Sequence, residues 1–205
     1  MHFNILNEDQ QKLLPLLSKF KREYFMAGGT SIALHIGHRM SIDFDLFKNG
    51  TIKPKAIIQK IRDSKENCTV TLNIDGQLNL SCRNVKFTFF QYEFEIPHPI
   101  NVKDAISIPT LIDLAAMKAY ALGRRSKWKD YVDLYFILKD HFSIAEIAER
   151  AEHIYKDLFS EKLFRAQLNY FIGINFEEQV DFMPGFETDE QTIKDFLTDA
   201  ALTGF

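Results

Sequence analysis

Two short segments constrain this chain more than any others. Gly28-Gly29-Thr30-Ser31 follows an apolar run, Tyr24 to Ala27, and leads into a short helical pattern from Ser31 to Ile36. Just downstream, Ser41-Ile42-Asp43-Phe44-Asp45-Leu46-Phe47 sets two carboxylates two positions apart in an apolar strand. Alternate residues of a strand share a face, with Cα atoms about 7 Å apart, so Asp43 and Asp45 can converge on one point. Burying two like charges side by side is costly unless cations accompany them. A pair of Mg²⁺ ions roughly 4 Å apart would offset that cost and clamp a triphosphate.

The glycine pair suits the same chemistry. Missing side chains allow close approach, and the free amides of the helix start point at a phosphate, with Thr30 or Ser31 adding a hydroxyl donor. A glycine pair alone marks only a turn; the carboxylates downstream give it weight. Arg39 either pairs with those carboxylates or binds phosphate.

The pattern predicts helix from Glu8 to Arg22, shortened or kinked by Pro15, and a second helix from Pro54 to Arg62. A hairpin turns at Asp75-Gly76, and a strand rich in Phe and Tyr runs from Val85 to about Phe94. Beyond Pro97 and Pro99 the chain reads as helical over 111–122, 128–139, 144–158 and 161–170. At 205 residues one substantial core is expected, an α+β fold with a mixed sheet and helices against one side. Residues 1–100 would form the α/β core and residues 101–205 a helical region packed on it.

A three-residue hairpin loop, Asp75 to Gln77, would put Val70, Leu72 and Ile74 on one face with Leu78, Leu80 and Cys82; a two-residue loop would turn one set to solvent. In the three-residue register Cys68 and Cys82 are diagonal, which predicts free thiols acting as small core hydrophobes. The N-terminus lacks the features of a signal peptide, and no apolar run reaches about 18 residues, so a cytoplasmic location with no membrane association is expected.

Residues 175–205 carry eight acids against Lys194, a net −7 in a chain of net −3, which leaves +4 on the remainder. Arg124, Arg125, Lys127 and Lys129 cluster before a helix, a patch suited to phosphates or equally an ordinary solvated loop. The acidic end would either fold over this loop or finish as a solvated terminal helix.

Lys118 stands alone in an apolar helix begun by a Thr110-x-x-Asp113 capping box, where it snorkels or neutralises a triphosphate. Asp130 and Asp133 follow the basic loop. Asp130 could serve the helix N-terminus, orient Lys118 or Arg124, or act as a base toward an incoming hydroxyl. His35 and His38 have no companions at zinc spacing and read as packing or surface residues.

Four blocks, Ala27 to Leu34, Gly37 to Phe47, Asp113 to Lys118 and Lys129 to Tyr135, together resemble the AbiEii/AbiGii toxin family of nucleotidyltransferases, minimal relatives of the DNA polymerase β superfamily. The resemblance spans about Phe25 to Leu138. It implies an NTP donor with Mg²⁺ on Asp43 and Asp45. Gly28, Gly29, Thr30, Ser31 and Arg39 would lie at the nucleotide, and Lys118 and Asp130 would complete the catalytic set. It further implies transfer of NMP to a hydroxyl of RNA, tRNA among some relatives, or of protein, and a cognate antitoxin as partner. Many polymerase β relatives carry a third carboxylate on a later strand, where this chain has Thr88; Asp130, Glu93 or Glu95 are the candidates to replace it. The alternatives are a non-catalytic nucleotide or RNA binder and a small-molecule nucleotidyltransferase.

Overall fold

A computed structural model describes residues 1–122, 124–125 and 127–203. Helix α1 (Glu8–Leu17) starts at a capping box in which Asn7 and Gln10 satisfy each other's backbone amides. It contains Pro15 and gives way to a 3₁₀ turn at Ser18–Phe20, shorter than the expected helix to Arg22. Strand β1 (Phe25–Ala27) runs into α2 (Gly28–Ile36), then β2 (Asp43–Asn49) and α3 (Pro54–Arg62). The hairpin is β3 (Cys68–Ile74) and β4 (Gln77–Cys82), followed by β5 (Val85–Tyr92). A small hairpin, β6 (Ile100–Val102) and β7 (Ile106–Ile108), precedes α4 (Leu111–Leu122), α5 (Trp128–Asp140), α6 (Ile144–Tyr155), α7 (Glu161–Leu168) and α8 (Glu190–Leu202). The β6–β7 pair lay outside the expected elements. Its strands are three residues long, too short to show an alternating pattern.

The main sheet has the order β1-β2-β5-β4-β3 and is mixed, with β2 and β5 parallel and the other neighbours antiparallel. One face carries Phe44, Leu46, Leu78, Leu80, Phe87 and Phe89, packed with Leu13, Leu17 and Phe20 of the N-terminal helix and turn. A second core joins Phe25, Ala27, Ile32 and Ile36 to Leu114, Tyr131, Val132 and Leu134 of the later helices. Strand alternation therefore sends Phe44 and Leu46 into the first core and leaves Asp43 and Asp45 on the other face. Among the described residues no helix is long and apolar enough to cross a membrane.

The β3–β4 hairpin corrects two expectations. Ile74 pairs with Gln77, so the loop has two residues, and Leu72 and Ile74 share a face with Asn79 and Gln77, away from Leu78 and Leu80. Both are exposed. A bulge between Val70 and Leu72 then shifts the register by one, which brings Cys68 directly opposite Cys82. They form a disulfide with Cα atoms 4.4 Å apart, not two free thiols.

Candidate active site

The register fixes what surrounds the two carboxylates. Asp45 is paired with Ala27 of β1 on one side and with Thr88 of β5 on the other, and Asp43 lies beside Lys86. Burial and then the neighbouring Asp45 push the Asp43 carboxyl above its usual range. Two acids so placed repel unless a cation joins them.

Gly28 is required by this arrangement. Its φ of +71° is disfavoured for other residues, and a Cβ there would lie 2.4 Å from Asp45 Oδ2. A Cβ on Gly29 would lie 2.3 Å from Arg39 Nη2. The turn thus lets one carboxylate and one guanidinium reach the start of α2 together.

The two hydroxyls of the turn serve the fold. Ser31 is fully buried and donates to the Ala27 carbonyl at 3.1 Å. Thr30 Oγ1 is bonded to the Asp43 carbonyl and lies 2.8 Å from Ser41 Oγ, tying α2 to the lead-in of β2. What α2 presents to a ligand at its first turn is backbone N–H, with no side-chain cap competing for it.

Behind the turn lies a buried ionic chain. Asp133 Oδ1 accepts from Arg39 Nε at 2.7 Å and is 2.8 Å from His38 Nε2, while Oδ2 accepts from Arg39 Nη2 at 3.0 Å. Lys118 Nζ bridges Asp133 Oδ2 (2.9 Å) and Asp130 Oδ1 (2.7 Å). Arg125 completes the chain, with Nε 2.8 Å from Asp130 Oδ2. Burial would raise Asp133, but Arg39 and Lys118 overcome it and hold the carboxyl well below the usual range. Asp130 is likewise held low by Lys118 and Arg125 against its burial.

This geometry decides between several sequence readings. Arg39 pairs with Asp133, not with Asp43 or Asp45. Lys118 does not snorkel; it is buried between two carboxylates. Asp130 orients Lys118 and binds Arg125, whereas Arg124 points away to the carbonyls of Tyr120 and Leu158. With both oxygens accepting from cations, Asp130 is poorly suited to take a proton. His38 is a fully buried partner of Asp133, a role its spacing to other metal-ligand residues could not reveal. Thr110 caps α4, its Oγ1 accepting from the Asp113 N–H, and the Asp113 carboxylate also pairs with Arg150 at 2.6 Å.

Two carboxylates such as Asp43 and Asp45 could hold a cation only with water or substrate oxygens as its other ligands, the arrangement usual for Mg²⁺ on a nucleotide. No larger cluster of His, Cys, Asp or Glu that could hold a metal occurs among the described residues. Glu93 and Glu95 line a cavity of about 1170 Å³ together with Asn49, Arg150 and Tyr155. That cavity lies toward the far end of β2 and includes neither Asp43 nor Asp45. Thr88, the in-register neighbour of Asp45, offers no charge.

The acidic end does cross the basic loop. Lys127 bridges to Asn175, and the Trp128 amide donates to the Asn175 carbonyl at 3.1 Å. Glu178 pairs with Lys127 and Lys129 at 2.6 and 3.4 Å. Farther on, the Asp181 carbonyl accepts from Met40 N–H at 2.8 Å, and Met183 N–H donates to the His38 carbonyl at 3.0 Å. Helix α8 then packs Ile193, Leu197 and Ala201 into the second core.

The chain is similar to known proteins in sequence and in fold. An uncharacterized protein of Aquifex aeolicus (strain VF5) is 27% identical over 186 residues, covering 84% of this chain and 85% of the relative. The crystal structure of JHP933 from Helicobacter pylori superposes with a TM-score of 0.60 at 15% identity, covering 96% of this chain and 91% of its own. MenT4, a nucleotidyltransferase toxin from Mycobacterium tuberculosis H37Rv, superposes with a TM-score of 0.57 at 15% identity, covering 94% and 80%. The family model for the nucleotidyl transferase AbiEii toxin of type IV toxin–antitoxin systems matches residues 16–199, and the chain belongs to that family.

Proposed function

We propose that this toxin-family nucleotidyltransferase moves NMP from a Mg²⁺-bound NTP to a hydroxyl of an RNA, such as a tRNA, or of a protein, and is restrained by a cognate antitoxin. The observation that carries this reading is the seating of the Asp45 carboxylate against Gly28, beside Asp43, at the opening turn of α2. Carboxylates and free helix amides then face one space, the first suited to cations and the second to phosphate oxygens.

In such a transfer the acceptor oxygen bonds to the α-phosphorus, the bond to the β-phosphate oxygen breaks, and pyrophosphate leaves. Asp43 and Asp45 would hold Mg²⁺, which when bound neutralises triphosphate charge and makes the α-phosphorus more electrophilic. The α2 amides orient phosphate oxygens. Lys118 donates to Asp130 and is ion-paired with Asp133, and its remaining N–H would be offered to a phosphate oxygen. The ionic chain through Arg39, Asp133, Lys118 and Asp130 locks α5 and α4 against the lead-in to β2, so the site is organised before substrate arrives.

Incubating purified protein and Mg²⁺ with each α-labelled NTP and total tRNA or cell extract should label a macromolecule, and Asp45→Ala should label none. Labelling that persists in this variant overturns the carboxylate mechanism. Thr88 beside Asp45 favours one rival, a nucleotide binder without turnover. It predicts NTP binding in calorimetry with no pyrophosphate release for any acceptor, so Mg²⁺-dependent release eliminates it. A small-molecule acceptor is separated by the same labelling assay run with small hydroxyl compounds.

A further inference from the structure

Lys127 and Lys129 flank the first residue of α5, within one helical turn of Asp130, and both already hold an anion. Glu178 Oε1 lies 2.6 Å from Lys127 Nζ, and Oε2 lies 3.4 Å from Lys129 Nζ. The segment that delivers Glu178 is tied at both ends. On one side Asn175 is bonded to the start of α5; on the other, Asp181 and Met183 are bonded to Met40 and His38, just ahead of Asp43. Glu178 therefore hangs between the two lysines and the start of β2.

We propose that Lys127 and Lys129 form the subsite for the outer phosphates of the donor nucleotide, and that Glu178 is a built-in anion occupying this subsite until polyphosphate displaces it. The inference rests on the triphosphate-donor reading for its ligand. Its geometry is independent of that reading. Two ammonium groups converge on one carboxylate, carried by a segment that is bonded to Met40 and His38 ahead of Asp43. A polyphosphate offers more charge and more acceptor oxygens than a single carboxylate, so it outcompetes Glu178 for the same donors. The exchange is easy because the pair is not sealed: the Lys127, Lys129 and Glu178 side chains are 42%, 21% and 45% exposed. Half-exposed ion pairs restrain weakly. A competing anion of this kind lowers affinity without blocking the site, so free nucleotide concentration sets how much protein is loaded.

The experiment is calorimetric titration with inorganic tripolyphosphate and with each NTP, using wild type, Glu178→Gln, Lys127→Gln/Lys129→Gln, and the triple variant, with unfolding midpoints measured in parallel. Glu178→Gln should tighten tripolyphosphate binding by about fivefold, and the double lysine variant should weaken it by about tenfold. In the lysine-free background Glu178→Gln should change nothing, because no cation is left to release. Unchanged or weaker tripolyphosphate binding in a folded Glu178→Gln overturns the proposal, as does a tightening that persists without the lysines. If tripolyphosphate behaves as expected but no NTP binds, the subsite stands and the donor reading fails. If NTP is turned over normally and Glu178→Gln is silent, the subsite fails and the donor reading stands.

Discussion

Arg39 and Asp133 meet across 94 residues of sequence in a two-point ion pair, Nε to Oδ1 at 2.7 Å and Nη2 to Oδ2 at 3.0 Å, with both side chains almost completely buried. Asp133→Ala would leave Arg39 and Lys118 buried with one carboxylate fewer between them. Breaking such a pair by removing one member costs about 3–5 kcal/mol, so Asp133→Ala should unfold at markedly lower denaturant. Asp130→Asn should cost less, because Lys118 then keeps Asp133 and the half-exposed Arg125 can turn to water.

Gly28→Ala tests the turn. The new Cβ would meet Asp45 Oδ2 at 2.4 Å, and the backbone would keep a φ of +71°. Strain of this kind costs about 1–2 kcal/mol. Displacing Asp45 should reduce labelling about a hundredfold, a loss far larger than the change in stability measured on the same preparation.

Acid should destabilise the protein in two stages. Burial lowers His38 more than Asp133 raises it, and His35 is also lowered by burial. The folded state thus binds fewer protons than the unfolded state, and the stability from these rings, complete above about pH 6.5, declines as pH falls below it. Asp133 and Asp130, held low by Arg39, Lys118 and Arg125, add stability that is complete above about pH 4 and lost below it. Unfolding midpoints across pH 3–8 should show both limbs, and His38→Asn should shrink the upper one without removing it.

Reducing the Cys68–Cys82 disulfide frees a hairpin whose ends are separated by 14 residues. Closing a loop of that size is worth about 3 kcal/mol in the chain-entropy account. Midpoints with and without reductant should differ accordingly. Labelling should be unaffected, because β3 is the edge strand remote from β2.

Much of the fold was legible in local pattern. The apolar alternation around Asp43 and Asp45, the glycine pair and the helices over 54–62 and 111–122 stand where spacing put them. Hairpin register was not legible, since a loop of two residues rather than three sets the face of Leu72 and Ile74, and a bulge beyond them then brings Cys68 opposite Cys82. The partner of Arg39 was equally hidden. Its candidates were Asp43 and Asp45, nearby in sequence, and the acid that holds it comes from α5.

The sequence by itself determined that Asp43 and Asp45 share one face of their strand and Phe44 and Leu46 the other, because backbone periodicity fixes the face a side chain takes within its own strand or helix. Tertiary structure alone decided what each of them meets. Ion pairing depends on separation in space and on burial, neither of which is set by distance along the chain. Hence Lys118 became the bridge between Asp130 and Asp133, Thr88 the neighbour of Asp45, and Glu178 the anion on Lys127 and Lys129.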